Sequence, residues 1–171
     1  PADLPASPEI GLKTFDEINA SMARMTGVAT THPDVSATYN TVKQQLPTVE
    51  NIQGFLSSHQ MAVTQMAIQY CDALVSSSQL RSDMFPGFNF SAPADSAFVH
   101  GGKSLIINPL ISRFVGTNLA SQPSTTDIET ELGQLIDNLT VCDAGCSADR
   151  TETVVKATCA AVLGSATTLV Q

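Results

Sequence analysis

Positive charge is scarce in this sequence: eight Lys and Arg stand against 16 Asp and Glu, giving a formal net charge of −8. The eight are scattered from Lys13 to Lys156. A nucleic-acid or anionic-membrane surface needs positive charge concentrated on one face, so neither partner is expected. Long apolar runs are missing too. No stretch reaches about 18 uninterrupted apolar residues, because Lys103, Arg113 and Lys156 break the best candidates, and membrane insertion is not expected. Tryptophan is absent, and together with little lysine and abundant Ser and Thr this gives the composition of an acidic extracellular protein. There is no nucleophile elbow, zinc-binding helix motif or phosphate loop. Internal repeats and low-complexity tracts are likewise lacking.

What is present suits one compact domain. The hydrophobic fraction is 43%, only 14% of residues are charged, and 171 residues are enough to enclose a core. Pro1, Pro5 and Pro8 mark a semi-extended arm or linker over residues 1–11, leaving 12–171 as a single helical domain. With no initiator Met, the chain is expected to be a processed product or a piece of something longer.

Helical periodicity runs through most of that domain. Thr14-Phe15-Asp16-Glu17 is a capping box, after which Phe15, Ile18, Met22 and Met25 repeat at helical spacing until Gly27 supplies a stop. A second helix is expected from about Asp34 to Leu46, with Val35, Tyr39, Val42 and Leu46 on one face. The longest segment, about Asn51 to Val75, carries a broad apolar stripe including Ile52, Phe55, Leu56, His59, Val63, Met66, Tyr70 and Leu74, and should be the central helix. Residues 76–107 change character. Phe85-Pro86-Gly87-Phe88-Asn89-Phe90, then Pro93 and Gly101-Gly102, predict an irregular crossover with one helical turn near Leu80, packed because its Phe residues are too apolar to leave in water.

Asn108-Pro109 resembles a cap followed by proline in the first helical position, opening a short helix through Gly116. Another helix fits Thr125 to Val141, with Ile128, Leu132, Leu135, Ile136 and Leu139 inward and Asp127, Glu129, Glu131 and Asp137 outward. The last opens at Asp149-Arg150-Thr151-Glu152, a variant capping box, and carries Val155, Cys159, Val162, Leu163, Ala166 and Val170 on one side. Its small residues, Ala160, Ala161, Gly164, Ser165 and Ala166, permit close helix contact. The fold class is therefore all-α: a bundle of five to six helices with a Phe/Pro/Gly-rich crossover.

Four cysteines allow three disulfide pairings, and sequence cannot choose among them. The favoured pairing joins Cys71 to Cys159 between packed helices, and Cys142 to Cys146 across a tight loop; the crossed pairings remain open. Closing the long loop would stabilise the fold by about 4 to 5 kcal/mol in the chain-entropy model. A metal reading is poorer, since Cys142 and Cys146 have no second paired motif nearby and His100 is the only hint of one; no metal site is expected. Disulfides in turn point to an oxidising compartment: secreted, extracellular or cell-surface, with the periplasm as an alternative.

Other candidates compete with plain structural roles. His59 on the central stripe, with Met66 two turns away and Met22 or Met25 on another helix, could supply the axial pair of a haem in a helical bundle, making the chain an electron-transfer module. The alternative is a hydrogen-bonded core histidine. Met22, Met25, Met61 and Met66 could also hold copper, although Met at helical spacing is ordinarily core filler. Ser57 and Ser58 neighbour His59 only in sequence, and adjacent helical residues diverge by about 100 degrees, so they form no catalytic dyad. Asp83, Asp95 and the Asp143 to Asp149 stretch lack the alternating oxygen pattern of a calcium loop. Asn19, Asn89 and Asn138 each begin a glycosylation-acceptor triplet.

Three stretches, Thr14-Phe-Asp-Glu-Ile-Asn-Ala-Ser-Met22, His59-Gln-Met-Ala-Val-Thr-Gln-Met-Ala-Ile-Gln-Tyr-Cys71 and Lys156-Ala-Thr-Cys-Ala-Ala-Val-Leu-Gly-Ser-Ala166, resemble the helical regions of large secreted bacterial proteins that carry LamG-type domains. The resemblance spans most of the chain and implies export, a multidomain parent and a role at the cell surface. It carries no catalytic residue and does not make this chain a LamG sandwich. The leading expectation is a noncatalytic structural, adhesion or assembly module of an exported bacterial protein, whose partners are other domains of its parent or copies of itself. Assembly would run through the Phe85 to Phe90 crossover unless its aromatics are buried. The haem- or metal-binding bundle is second and an enzyme third.

Overall fold

Apolar side chains at three- and four-residue spacing form helices throughout the residues that the computed structural model describes: 13–45, 57–115, 123–143, 145–165 and 169. Among these are eight α-helices: α1 (Phe15–Thr26), α2 (Pro33–Val42), α3 (Ser57–Ser76), α4 (Ser78–Met84), α5 (Ala94–Ala97), α6 (Gly102–Phe114), α7 (Thr125–Leu139) and α8 (Ala148–Leu163). A 3-10 turn, Lys43–Gln45, extends α2. There is no strand among the described residues, and the protein is an all-α, disulfide-stapled bundle. The expected arm at 1–11, and the expected core positions Leu46, Ile52, Phe55, Leu56, Ala166 and Val170, lie outside the described residues.

The centre is the antiparallel pair α3 and α8, the most extensive helix contact in the molecule. Val63, Met66, Ala67, Tyr70 and Leu74 of α3 and Val154, Val155, Val162 and Leu163 of α8 are fully or almost fully buried. Each large aliphatic side chain removed from water in this way contributes about 1.5 to 3 kcal/mol. Small residues let the backbones approach: a Cβ on Gly164 would lie 3.4 Å from the Ala67 Cβ and 3.8 Å from the Thr64 Cα. Cys71 and Cys159 meet in this interface with their sulfurs 2.00 Å apart, and Cys142 and Cys146 pair across their loop at 1.98 Å. Both disulfides are those favoured by the sequence.

Helices α1 and α2 pack on α3. Phe15, Ile18 and Met22 are buried while Met25 is partly so. The Tyr70 hydroxyl donates to the Asn19 carbonyl at 3.1 Å and to its side-chain oxygen. The Glu17 carboxylate accepts from both the backbone N–H and the hydroxyl of Thr14, each at 2.8 Å, the first of these being one of the two capping-box bonds. Those bonds, the backbone one foremost, hold the Glu17 carboxyl below the usual carboxylate range. Gly27 ends α1 at φ 75°, a left-handed conformation in which glycine avoids the Cβ clash.

The crossover is more regular than its composition suggested. Ser77 caps a two-turn α4 by accepting from the Leu80 N–H at 3.4 Å. Phe85, Phe88 and Phe98 are buried, and Phe90 stacks edge-on to Phe88 at 4.9 Å beneath the Arg81 guanidinium, 5.0 Å from the ring. These aromatics therefore fill the crossover's own core, and the expected assembly face at Phe85 to Phe90 is not free.

Two further expectations need correction. The helix expected to open at Pro109 after an Asn108 cap begins seven residues earlier, at Gly102, and Pro109 lies inside it. The proline removes one backbone donor at about 3 kcal/mol or more, but burial of Ile106, Ile107, Leu110 and Phe114 carries α6 through it. The last helix is capped by Ser147, which accepts from the Arg150 N–H at 3.3 Å, and not by Asp149. A serine cap of this kind contributes about 1 kcal/mol. Helices α6 and α7 are antiparallel neighbours: Lys103 near the start of one pairs with Asp137 near the end of the other.

Candidate functional site

Amphipathic helices bury one stripe and leave the rest to solvent, so a surface that stays apolar after packing is informative. Helix α8 packs against α3, α5, α6 and α7, and between α3 and α7 its outer surface is left as the floor of an open groove of about 640 Å³. Residues Thr153, Ala157, Ala160 and Ala161 of α8, with Gly164 just past its end, form that floor. One wall comes from α3, where Gln60, Thr64, Ile68 and Asp72 recur at four-residue intervals. The other is Leu135 and Leu139 of α7.

Sequence periodicity explains the shape. On α7, Leu132 and Ile136 are buried, whereas Leu135 and Leu139 are only partly covered, so the apolar stripe is wider than the interface that α6 and α8 provide. On α3 the buried stripe faces α1, α2 and α8, and Ile68 lies outside it with 54% of its surface exposed. Met61, one helix-heptad earlier, is 63% exposed and shares that face.

Charge is nearly absent from the groove. Asp72 and Lys156 alone carry it, and they pair with each other at 2.7 Å, the lysine also reaching the Ser76 hydroxyl at 3.3 Å. At the other end the Gln60 amide donates to the Gly164 carbonyl at 3.2 Å. Both ends are thus tied by polar contacts between α3 and α8. A smaller cavity of about 210 Å³ continues along the α7–α8 seam past Ala161, where Asp127 and Glu131 overlook Ile128 and Val162.

The haem reading rests on His59, Met22, Met25 and Met66. Met22 and Met66 are 1% and 0% exposed, enclosed by core side chains. His59 and Met66 are separated by two turns of the same helix, about 10 Å along its axis. None of His59, Met22, Met25 and Met66 lines the groove. Met22 and Met66 pack as core side chains, with Met25 partly buried against them. No group of three or more His, Cys, Asp or Glu side chains gathers among the described residues in a way that could hold a metal.

Of the loop carboxylates, Asp83 is helical and accepts from Gln79 at 3.0 Å, while Asp95 accepts from the Cys146 N–H at 3.3 Å, tying α5 to the small disulfide loop. His100 is exposed in a turn with φ 50°. Asn19 is engaged by Tyr70, Asn89 accepts from the Ser91 N–H at 3.0 Å, and Asn138 is exposed near the end of α7. No helix among the described residues is long and apolar enough to cross a membrane.

The groove itself escaped sequence reading because its floor and walls come from three helices, and Gln60, Thr64 and Thr153 look like solvated surface in isolation. The signal that could have found it is the excess of small residues on α8 beyond what one helix contact needs. Compared with known proteins, the chain matches no family model, no curated protein and no solved structure.

Proposed function

We propose that this protein is a disulfide-stapled helical module of an exported bacterial protein, serving assembly or adhesion by docking a partner in the α3–α7–α8 groove. The observation that carries the reading is the groove: about 640 Å³, floored by Ala157, Ala160, Ala161 and Gly164, with an exposed Ile68 on its edge. Such a surface loses unfavourable apolar exposure when a helix lies in it, and small floor residues permit close backbone approach. Support for export comes from the two disulfides, which persist in oxidising compartments, and from an acidic composition with few lysines.

Site-specific photo-crosslinking tests this. With Ile68 replaced by benzoylphenylalanine in the full chain within producing cells, irradiation is expected to give discrete adducts. A matching replacement at exposed Thr130, outside the groove on α7, should give none. Equal, diffuse labelling from both positions, or no adduct from Ile68, would sink the docking role.

A further inference from the structure

In a chain of net charge −8, Lys13 and Arg24 line one open cavity of about 500 Å³, which they enter from opposite ends of a face of α1 that also carries Glu17, Ala20 and Ser21. Elsewhere Arg81, Lys103 and Lys156 are each held by a carboxylate of a neighbouring helix. The exposed Arg24 guanidinium has no such ion pair among the described residues. Lys13 is anchored by its backbone N–H, which donates to the Leu169 carbonyl at 2.9 Å, and its side chain is half-buried. Burial foremost, then the Arg24 charge, holds its ammonium below the usual lysine range against an opposing pull from Glu17. The two cations therefore repel each other across the cavity. Glu17 offsets this only in part, because its carboxylate is engaged by the N–H and hydroxyl of Thr14.

A third group points to an anion. Hydroxyls inside these helices donate back to the carbonyl four residues earlier, as those of Thr26, Thr64, Thr130 and Thr158 do at 2.8 Å. Ser21 does not. It is only 6% exposed, makes no side-chain hydrogen bond among the described residues, and lines the cavity between Lys13 and Arg24 along the helix. A hydroxyl withdrawn from bulk water without a partner is unfavourable, and an acceptor placed in the cavity relieves it.

We propose that this cavity binds a doubly charged tetrahedral oxyanion, as free phosphate or as the phosphoryl group of a small organic monoester. Lys13 supplies a point charge, Arg24 a planar fork that can take two oxygens, and Ser21 a hydroxyl donor for a third. A divalent anion answers both cations, whereas a single carboxylate leaves one of them in excess. The cavity falls within the range of small-molecule pockets, about 300 to 1,000 Å³, so it has room for the organic part of a monoester. The site lies on α1 and is independent of the α3–α7–α8 groove and its docking role.

Amide chemical-shift titrations of the oxidised full chain test it, with inorganic phosphate, glucose 6-phosphate, acetate and glucose as probes. Both phosphates are expected to shift the Ser21 and Arg24 amides saturably in the millimolar range or below, acetate to bind about tenfold more weakly, and glucose not to bind. Tighter binding of glucose 6-phosphate than of inorganic phosphate identifies a monoester as the occupant, and equal affinities identify the free anion. Arg24→Gln should weaken phosphate binding by about tenfold and Ser21→Ala by about fivefold. Arg113→Gln, the same loss of charge at an exposed position on α6, should leave it unchanged. Arg24 is exposed and the Ser21 hydroxyl holds no neighbour in place, so both cavity variants are expected to keep the wild-type melting profile. No saturable shift with either phosphate overturns the proposal. Acetate binding as tightly as phosphate, cavity variants that keep the wild-type affinity, or an equal loss in Arg113→Gln overturn it as well.

Discussion

Two disulfides hold two different regions, and they do unlike work. Cys71–Cys159 spans 88 residues and joins α3 to α8 with both cysteines fully buried. Cys142–Cys146 spans four residues in a half-exposed loop between α7 and α8. In the chain-entropy model the first removes about 4 to 5 kcal/mol of unfolded-state freedom and the second about 2. The first fixes the interface whose outer surface is the groove floor. The second shapes the end of the bundle, where its loop meets α5 through the Cys146 N–H and Asp95. A long clamp in a packed core governs whether the fold exists, and a short one governs where a loop sits.

The largest expected effect comes from breaking the clamp. Cys71→Ala with Cys159→Ala should destabilise the protein by about 4 to 5 kcal/mol, a large part of a typical domain's stability, and lower the melting temperature by about 10 to 18 °C in calorimetry. A loss under about 1 kcal/mol would mean that packing between α3 and α8 holds without the covalent link, and the contrast between the two staples would disappear.

Next in size is Gly102→Ala, at the end of the molecule served by the short staple. A Cβ there would fall 1.9 Å from the Ala97 carbonyl oxygen, backbone that cannot rotate away. Overpacking of this kind costs about 1 to 3 kcal/mol, to be read from urea unfolding midpoints. An unchanged midpoint would show that the α5–α6 corner yields freely, making this end much softer than the α3–α8 core.

Removing the short staple, Cys142→Ala with Cys146→Ala, should cost at most about 2 kcal/mol. Because its cysteines are half-exposed and the others are at 0%, mild reductant should open it first, so mass spectrometry after alkylation would show two labels well before four. Simultaneous appearance of all four would break the distinction drawn from burial.

The same contrast explains what could be read in the sequence. Helices α1, α3, α7 and α8 announce themselves because each buries a stripe with 3.6-residue periodicity, and the cysteine pairing follows from placing Cys71 and Cys159 on two such stripes. Where local chemistry and tertiary burial disagree, the burial wins. Asn108-Pro109 has the local chemistry of a helix start, yet Ile106 and Ile107 upstream are buried and draw the helix back to Gly102. Phe-rich, Pro-rich residues 85–100 have no period at all, and their order comes from ring packing among Phe85, Phe88, Phe90 and Phe98. The groove was illegible for a related reason: no single helix contains it.

The smallest effect at neutral pH separates the α1–α2–α3 side from everything around the staples. Burial first, then the hydrogen bond that the hydroxyl donates to the Asp16 carboxylate, pushes Tyr39 up to about 12. Burial also takes Tyr70 to about 12, with Tyr39 a lesser cause. A raised pKa means the folded state holds its phenolic proton more tightly than the unfolded chain, whose tyrosines ionise near 10. The associated stability is therefore fully present below pH 10 and is lost as pH climbs towards 12. Tyr70→Phe should flatten that alkaline loss, at the cost of the hydrogen bonds to Asn19, while leaving the pH profile of the α7–α8 end unchanged. Ultraviolet titration of the phenolates checks it: both tyrosines should ionise late and together with unfolding, and a normal transition near pH 10 with the helices intact would show that the α1–α3 contact admits water.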